Sequence, residues 1–212
     1  MKIDEIDRGL YRIRVPFEEG IFTSVYVIVC DEGAILVDAA TYPKDVDESI
    51  LPALDSIGIL PERVRWLLLS HEHGDHAGGA ERALACFPEA RFGASFPHPS
   101  GRLLLLTDGE VLLGRLQVVA LPGHTERSLA FYDRKTKTLL TADCLQLRGI
   151  GKYRNGIAYP TKYRESVRRV RELSPYRIVA AHEYDPLGSV AQGEEAVTAY
   201  LDACLAFISD GE

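Results

Sequence analysis

The chain has 212 residues, long enough to bury one substantial core. Its balance of 46% hydrophobic and 26% charged residues is that of an ordinary globular protein, not a disordered or fibrous one. A net charge of −7 makes nucleic acid a poor partner, and no apolar run approaches the length of a membrane span.

The start, Met1 to Glu5, is acidic and has no signal-peptide apolar core, so a cytoplasmic protein is expected. Cys30, Cys86, Cys144 and Cys204 are scattered and form no CxxC pair, which predicts reduced, mostly buried thiols. Leu10 to Val15 alternates apolar and polar, as a half-buried strand does. Pro16 to Phe22 reads as a loop with exposed aromatics. Ser24 to Cys30 and Ala34 to Val37 are strand-like runs split by Asp31-Glu32-Gly33, a hairpin signal. Asp38 ends the second run. A carboxylate there is either a turn residue or a partner that orients a metal-bound histidine.

Val46, Ile50, Leu54 and Ile57 share one helix face, which Pro52 is expected to interrupt. Val64 to Leu69 is a short buried strand. It delivers Ser70-His71-Glu72-His73-Gly74-Asp75-His76-Ala77-Gly78-Gly79, which holds three of the six histidines. Imidazole and carboxylate suit divalent metals, and a packed core avoids this much polarity. Glu72 is expected to point away from the others by alternation. A short helix follows and stops before Pro88.

Ala90 to Ser95, Leu103 to Leu106, Val111 to Leu113 and Leu116 to Leu121 are further strand candidates, with a turn at Asp108-Gly109. His98, between two prolines, reads as a loop residue. Pro122-Gly123-His124-Thr125 closes the Leu116 run. Ser128 to Tyr132 and Thr138 to Ala142 form a hairpin that ends at Asp143. Cys144 is expected on the opposite face from Asp143, as packing.

Residues 145–160 lack periodicity and carry Arg148, Lys152 and Arg154 with no acidic residue. Thr161 is expected to cap a helix whose apolar face is Tyr163, Val167, Val170 and Leu173. Its arginines read as a solvated face. Arg177 to Ala181 is a strand ending at His182, and an amphipathic helix closes the chain. No linker or repeat is visible, so residues 1–212 are expected to form a single domain.

Four places share one design, in which a strand ends and a ligand-type residue follows: His71 to His76, His124, Asp143 and His182. In layered α/β proteins, sites collect at one end of the strands. Together, His71-x-His73-x-Asp75-His76, Pro122-Gly123-His124-Thr125, Thr141-Ala142-Asp143 and His182 resemble the metallo-β-lactamase superfamily over nearly the whole chain.

That resemblance implies an α/β fold, a four-layer αβ/βα sandwich with metals at one edge. It implies two divalent ions, zinc foremost, with iron or manganese as alternatives. His71, His73 and His124 would hold one ion, Asp75, His76 and His182 the other, and Asp143 would bridge them. The flavodiiron branch has a carboxylate at the position of His73, and the β-lactamases often have Cys at the bridging position. Both differences point away from those branches, while the compact length and the Pro122-Gly123-His124-Thr125 turn look like the glyoxalase II-like thioesterases and related lactonases. The glyoxalase II helical extension is not seen after His182, which weighs against glutathione thioesters.

The implied reaction is hydrolysis, in which a metal-bridging hydroxide attacks a small ester, thioester or lactone carbonyl and Asp75 accepts or relays the proton. The alternatives are a mononuclear-iron oxidoreductase of the persulfide dioxygenase type, using His71, His124 and Asp143, and a phosphodiesterase or nuclease. The partner expected is a small molecule, anionic if Arg148, Lys152 and Arg154 pair with it. Tyr153, Tyr159 or Tyr163 could donate to an oxyanion. Neither a nucleic acid nor a membrane partner is expected, and the sequence leaves the oligomeric state open.

Overall fold

A computed structural model of the chain describes residues 2–18, 20–101, 103–147, 156–184 and 187–209. The chain divides into two compact units, 1–106 and 107–212. Each unit is built on one mixed sheet with helices.

The first unit carries β1 (Lys2–Asp7), β2 (Leu10–Glu18), β3 (Ile21–Cys30), β4 (Gly33–Val37), β5 (Val64–Leu68), β6 (Arg91–Ala94) and β7 (Leu103–Leu105), in that spatial order. β1 to β4 run antiparallel because only two residues separate each strand from the next. β4 to β7 run parallel. The first two of those parallel connections contain helices. α1 (Pro43–Asp45), a π turn (Val46–Ile50) and α2 (Leu51–Ser56) follow β4, and α3 (Gly74–Ala77) and α4 (Ala80–Cys86) follow β5. Every residue of β4 is buried, as a near-continuous apolar run in a parallel sheet requires.

One local expectation changes here, at Pro16 to Phe22, and two other features are sharpened. The acidic N-terminus is a strand. Asp4 lies opposite Arg12 in the ladder and pairs with both Arg12 (3.3 Å) and Arg14 (3.0 Å). Pro16 to Phe22 is not a loop, because β2 and β3 continue through it as a hairpin with a register irregularity between Pro16 and Glu18. Pro52 falls where the regular α-helix is interrupted, as expected. The chain widens into the π turn just before it, where Leu51 N–H reaches back to the Val46 carbonyl, and Pro52 then sits in the first turn of α2.

The second unit carries β8 (Val111–Leu112), β9 (Leu116–Ala120), β10 (Leu129–Asp133), β11 (Thr138–Ala142), β12 (Arg177–Tyr184) and β13 (Gly188–Gln192), in the spatial order β13-β12-β11-β10-β9-β8. Only β11 and β12 are parallel, and α5 (Pro160–Leu173) lies in their connection. α6 (Glu194–Ser209) follows β13 and buries Val197, Tyr200, Leu201, Cys204 and Ile208. α5 starts at Pro160 rather than being capped by Thr161, since a fixed proline φ suits a first helical position. Two of its arginines pair with carboxylates, Arg169 with Asp108 (2.7 Å) and Arg171 with Asp202 (2.5 Å). β12 runs two residues past His182, so His182 lies inside a strand and not at its end.

No helix among the described residues is long and apolar enough to cross a membrane. None of the four cysteines is in a disulfide.

Candidate metal centre

In the first unit the donors follow β5 directly. His71 to His73 lie in the link after β5, with His73 extended as the residue before α3, and Asp75 and His76 fall in α3. His71, Asp75 and His76 are buried, His73 is half-buried, and Glu72 is exposed, as alternation predicts. The His71 ring lies 4.7 Å from that of His73 and 4.2 Å from that of His76, centroid to centroid.

A tightly held turn, residues 38–41, carries this group. Asp38 and Ala40 adopt left-handed backbone (φ 67° and 59°), a strain that persists only where the surroundings enforce it. Ala39 N–H donates to the His76 carbonyl (2.8 Å), and Gly79 N–H donates to the Ala40 carbonyl (3.2 Å). The two glycines after Ala77 make this approach possible. A Cβ on Gly78 would lie 1.9 Å from the Thr41 carbonyl oxygen, and one on Gly79 would lie 2.1 Å from that of Ala39.

Asp38 is fully buried and spends its carboxylate on this group. Oδ1 accepts from Ser70 N–H (2.8 Å), and Oδ2 accepts from Ser70 Oγ (2.9 Å) and from His76 Nδ1 (2.7 Å). His76 therefore carries its proton on Nδ1 and presents Nε2, which lies 3.6 Å from Asp75 Oδ2.

In the second unit the donors are His124, Asp143 and His182. His124 follows β9 in a turn that needs Gly123. The φ of Gly123 is 152°, and a Cβ there would sit 2.6 Å from Tyr163 Cα. His124 Nδ1 donates to the Gly156 carbonyl (3.2 Å), which turns Nε2 toward Asp143 Oδ2 at 3.6 Å. Asp143 follows Ala142, another left-handed residue (φ 45°). Its Oδ1 lies 3.4 Å from His182 Nε2 and accepts from Tyr184 Oη at 3.5 Å.

These imidazole–carboxylate spacings are informative. At 3.4–3.6 Å they are longer than good hydrogen bonds. Two ligands on one tetrahedral ion with bonds of 2.0–2.1 Å lie about 3.4 Å apart. Each unit thus holds buried nitrogen and oxygen donors at the separation that a shared ion sets, and the residues fit a metal.

The other sequence-selected residues divide. Tyr159, at 40% exposure, is accessible, with Lys162 Nζ over its ring. Tyr163 is fully buried and donates its hydroxyl to the Gln146 carbonyl (2.9 Å), so it packs the core and anchors the backbone just after Asp143. Arg148, Lys152, Tyr153 and Arg154 lie outside the described residues. Cys144 is buried in the apolar cluster of its unit. Ser70 and Tyr184 escaped the sequence reading. The one signal for Tyr184 is its place two residues after His182, on the same strand face.

The comparisons with known proteins support the metallo-β-lactamase superfamily. Residues 19–85 match the family model described as the metallo-beta-lactamase superfamily. A hydroxyacylglutathione hydrolase of Pectobacterium atrosepticum is 33% identical over 140 residues, which cover 64% of this chain and 53% of that protein. One from Aeromonas hydrophila is 32% identical over 166 residues, covering 76% of this chain and 61% of that one. The match thus spans little more than half the length of these curated relatives. Among solved structures, a B3 metallo-β-lactamase with an active-site glutamic acid superposes with a TM-score of 0.77 at 24% identity, covering 99% of this chain and 90% of that one. That likeness is one of fold.

Proposed function

We propose that the chain is a two-metal hydrolase of a small ester, thioester or lactone. His71, His73 and His124 would hold one ion, Asp75, His76 and His182 would hold the second, and Asp143 would be shared between them. The observation that carries this reading is the buried imidazole–carboxylate spacing of 3.4–3.6 Å in each unit. The names of the curated relatives support the thioester branch, since a hydroxyacylglutathione is a thioester.

When bound, such a pair of divalent ions lowers the pKa of a shared water to about 7 and polarises a carbonyl. The chain supplies the rest. Asp38 and the Gly156 carbonyl fix the tautomers of His76 and His124, so each offers Nε2. Asp75 takes the proton released on attack, being a carboxylate within the donor group. Tyr159, with Arg148, Lys152 and Arg154, is the proposed substrate contact, the basic groups pairing with an anionic portion of the substrate.

The test is metal analysis of the purified chain with turnover on thioesters, lactones and aryl esters. Two ions per chain and chelator-sensitive hydrolysis are expected, with turnover abolished and metal content reduced in Asp143→Ala. One iron per chain with oxygen uptake on a persulfide would overturn the reading.

A further inference from the structure

Ser70 stands between the donor groups and the carboxylate that orients them. Its Oγ donates to Asp38 Oδ2 at 2.9 Å and lies 3.0 Å from His71 Nδ1. All three side chains are buried: Ser70 and Asp38 at 0% exposure, His71 at 1%. A hydroxyl has one proton, and a carboxylate can only accept. With the Ser70 proton committed to Asp38, its oxygen must accept from His71, so His71 carries its proton on Nδ1 and offers Nε2 as a lone pair. The Ser70 backbone N–H, bound to Asp38 Oδ1 at 2.8 Å, holds the hydroxyl in place for both contacts. The same Oδ2 accepts from His76 Nδ1 at 2.7 Å.

We infer that Ser70 is a positioning residue that carries the pull of Asp38 to His71, so one carboxylate oxygen sets the ligating tautomer of a histidine at each ion position. This rests on the two-ion assignment above only in that His71 and His76 serve different ions. The hydroxyl also polarises the imidazole. A histidine whose far nitrogen donates into a chain ending on a carboxylate is a more basic ligand. Direct contact with Asp38 serves His76, and the relayed contact serves His71. Loss of the hydroxyl therefore affects one position and loss of the carboxylate affects both.

The experiment uses the full chain and three variants, Ser70→Ala, Ser70→Thr and Ser70→Cys. In the metal-free protein, long-range nitrogen–proton NMR of the imidazoles reports the tautomers directly. His71 and His76 are expected as Nδ1–H in the parent and in Ser70→Thr, which keeps the hydroxyl. In Ser70→Ala, His71 becomes a mixture of tautomers while His76 does not change. Ser70→Cys, with its weak thiol donor, moves the same way to a smaller extent and serves if the alanine variant does not fold. Zinc competition against a chromophoric chelator is the second readout. Ser70→Ala is expected to lose about 10- to 100-fold in affinity at one position and to keep the other within about threefold. An unchanged His71 tautomer in both Ser70→Ala and Ser70→Cys, or equal weakening of both positions, overturns the inference. A parent chain that takes up one zinc while the tautomers behave as expected overturns the two-ion reading and leaves the role of Ser70 at His71 standing.

Discussion

Asp38 and His76 meet through a 2.7 Å hydrogen bond between side chains that are both fully buried. Asp38 reaches that contact from left-handed backbone, a conformation in which Asp and Asn are several-fold enriched. Asp38→Asn thus keeps the turn and changes only the chemistry of one acceptor. An amide NH2 now faces a donor that it cannot satisfy, either at Ser70 or at His76. The expected result is a loss of about 1–3 kcal/mol of stability. Metal affinity should fall about 10- to 100-fold at both ion positions. Thermal melting of the metal-free variant separates the first effect, and chelator competition measures the second.

Gly123 makes a different kind of demand. Its φ of 152° disfavours a side chain, and the space that a Cβ needs is filled by Tyr163 Cα and Cβ, both at 2.6 Å. Backbone at that position does not give way as a flexible side chain would. Gly123→Ala should cost about 2–5 kcal/mol, combining about 1–2 for the backbone with about 1–3 for overpacking. At this chain length that lowers Tm by roughly 5–15 °C. It should also reduce metal content, because His124 is the next residue. Gly109→Ala is the control, since its φ is 84° but nothing lies within 4 Å of the added Cβ. There only the backbone cost of about 1 kcal/mol is expected.

The clustered imidazole and carboxylate groups were legible in the sequence because His71 to His76 brings rare residue types together within six positions. The parallel strands were legible for a related reason, since Ala34 to Val37 and Val64 to Leu69 are apolar on both faces. What escaped depended on partners distant in the chain. β1 has no strand pattern that stands out by itself, and Asp4 finds its partners in Arg12 and Arg14 of the next strand. The 16–22 hairpin reads as a loop because its Pro and Gly are accommodated by a register irregularity that only pairing reveals. His182 seemed to end a strand because Glu183 is exposed and breaks the apolar run, while β13 pairs alongside. Ser70 and Tyr184 act through single hydroxyls, which leave no pattern in a sequence. Tyr163 looked like a substrate donor because its hydroxyl has no visible partner until the Gln146 carbonyl is placed 2.9 Å away.

Asp108 links α5 to the β9 end. It accepts from Arg169 (2.7 Å) and from Ala120 N–H (2.8 Å). Burial pulls its pKa upward, but the hydrogen bond from Arg169, the Ala120 N–H and the Arg169 charge outweigh it, so the carboxyl is held below its ordinary value of 3.8. Folding therefore favours the ionised form. The stabilisation is complete above the ordinary value and is lost as pH falls through the lowered one. Both side chains are more than a third exposed, so screening limits the pair to about 0.2–1 kcal/mol. Asp108→Asn should melt lower than the parent at pH 7, and the gap should close as pH falls below the ordinary carboxylate value in metal-free protein. A gap that persists undiminished in acid would assign the effect to packing instead.

The thiols offer a chemical check on the second unit. Cys204 is buried between α6 and the backbone after Asp143, with Sγ directed to the Leu145 carbonyl at 3.7 Å. Burial pushes its pKa up to about 12, against the smaller opposing effects of its contacts with the Tyr163 hydroxyl and its own backbone. The thiolate is the reactive species, so at pH 8 Cys204 presents almost none. Cys144 is also buried, whereas Cys30 and Cys86 are half-buried. Iodoacetamide at pH 8 should therefore modify the native chain at no more than two positions, Cys86 and Cys30, and all four in denaturant, as read by intact-mass and peptide spectra. Cys204→Ser would place a hydroxyl, with its stronger demand for hydrogen bonds, where the Leu145 carbonyl already accepts from Tyr200 Oη at 3.1 Å. It should cost about 1–3 kcal/mol, whereas Cys204→Ala loses only packing. If Cys204 labels in the native state as fast as Cys86, α6 does not stay packed over the residues that follow Asp143.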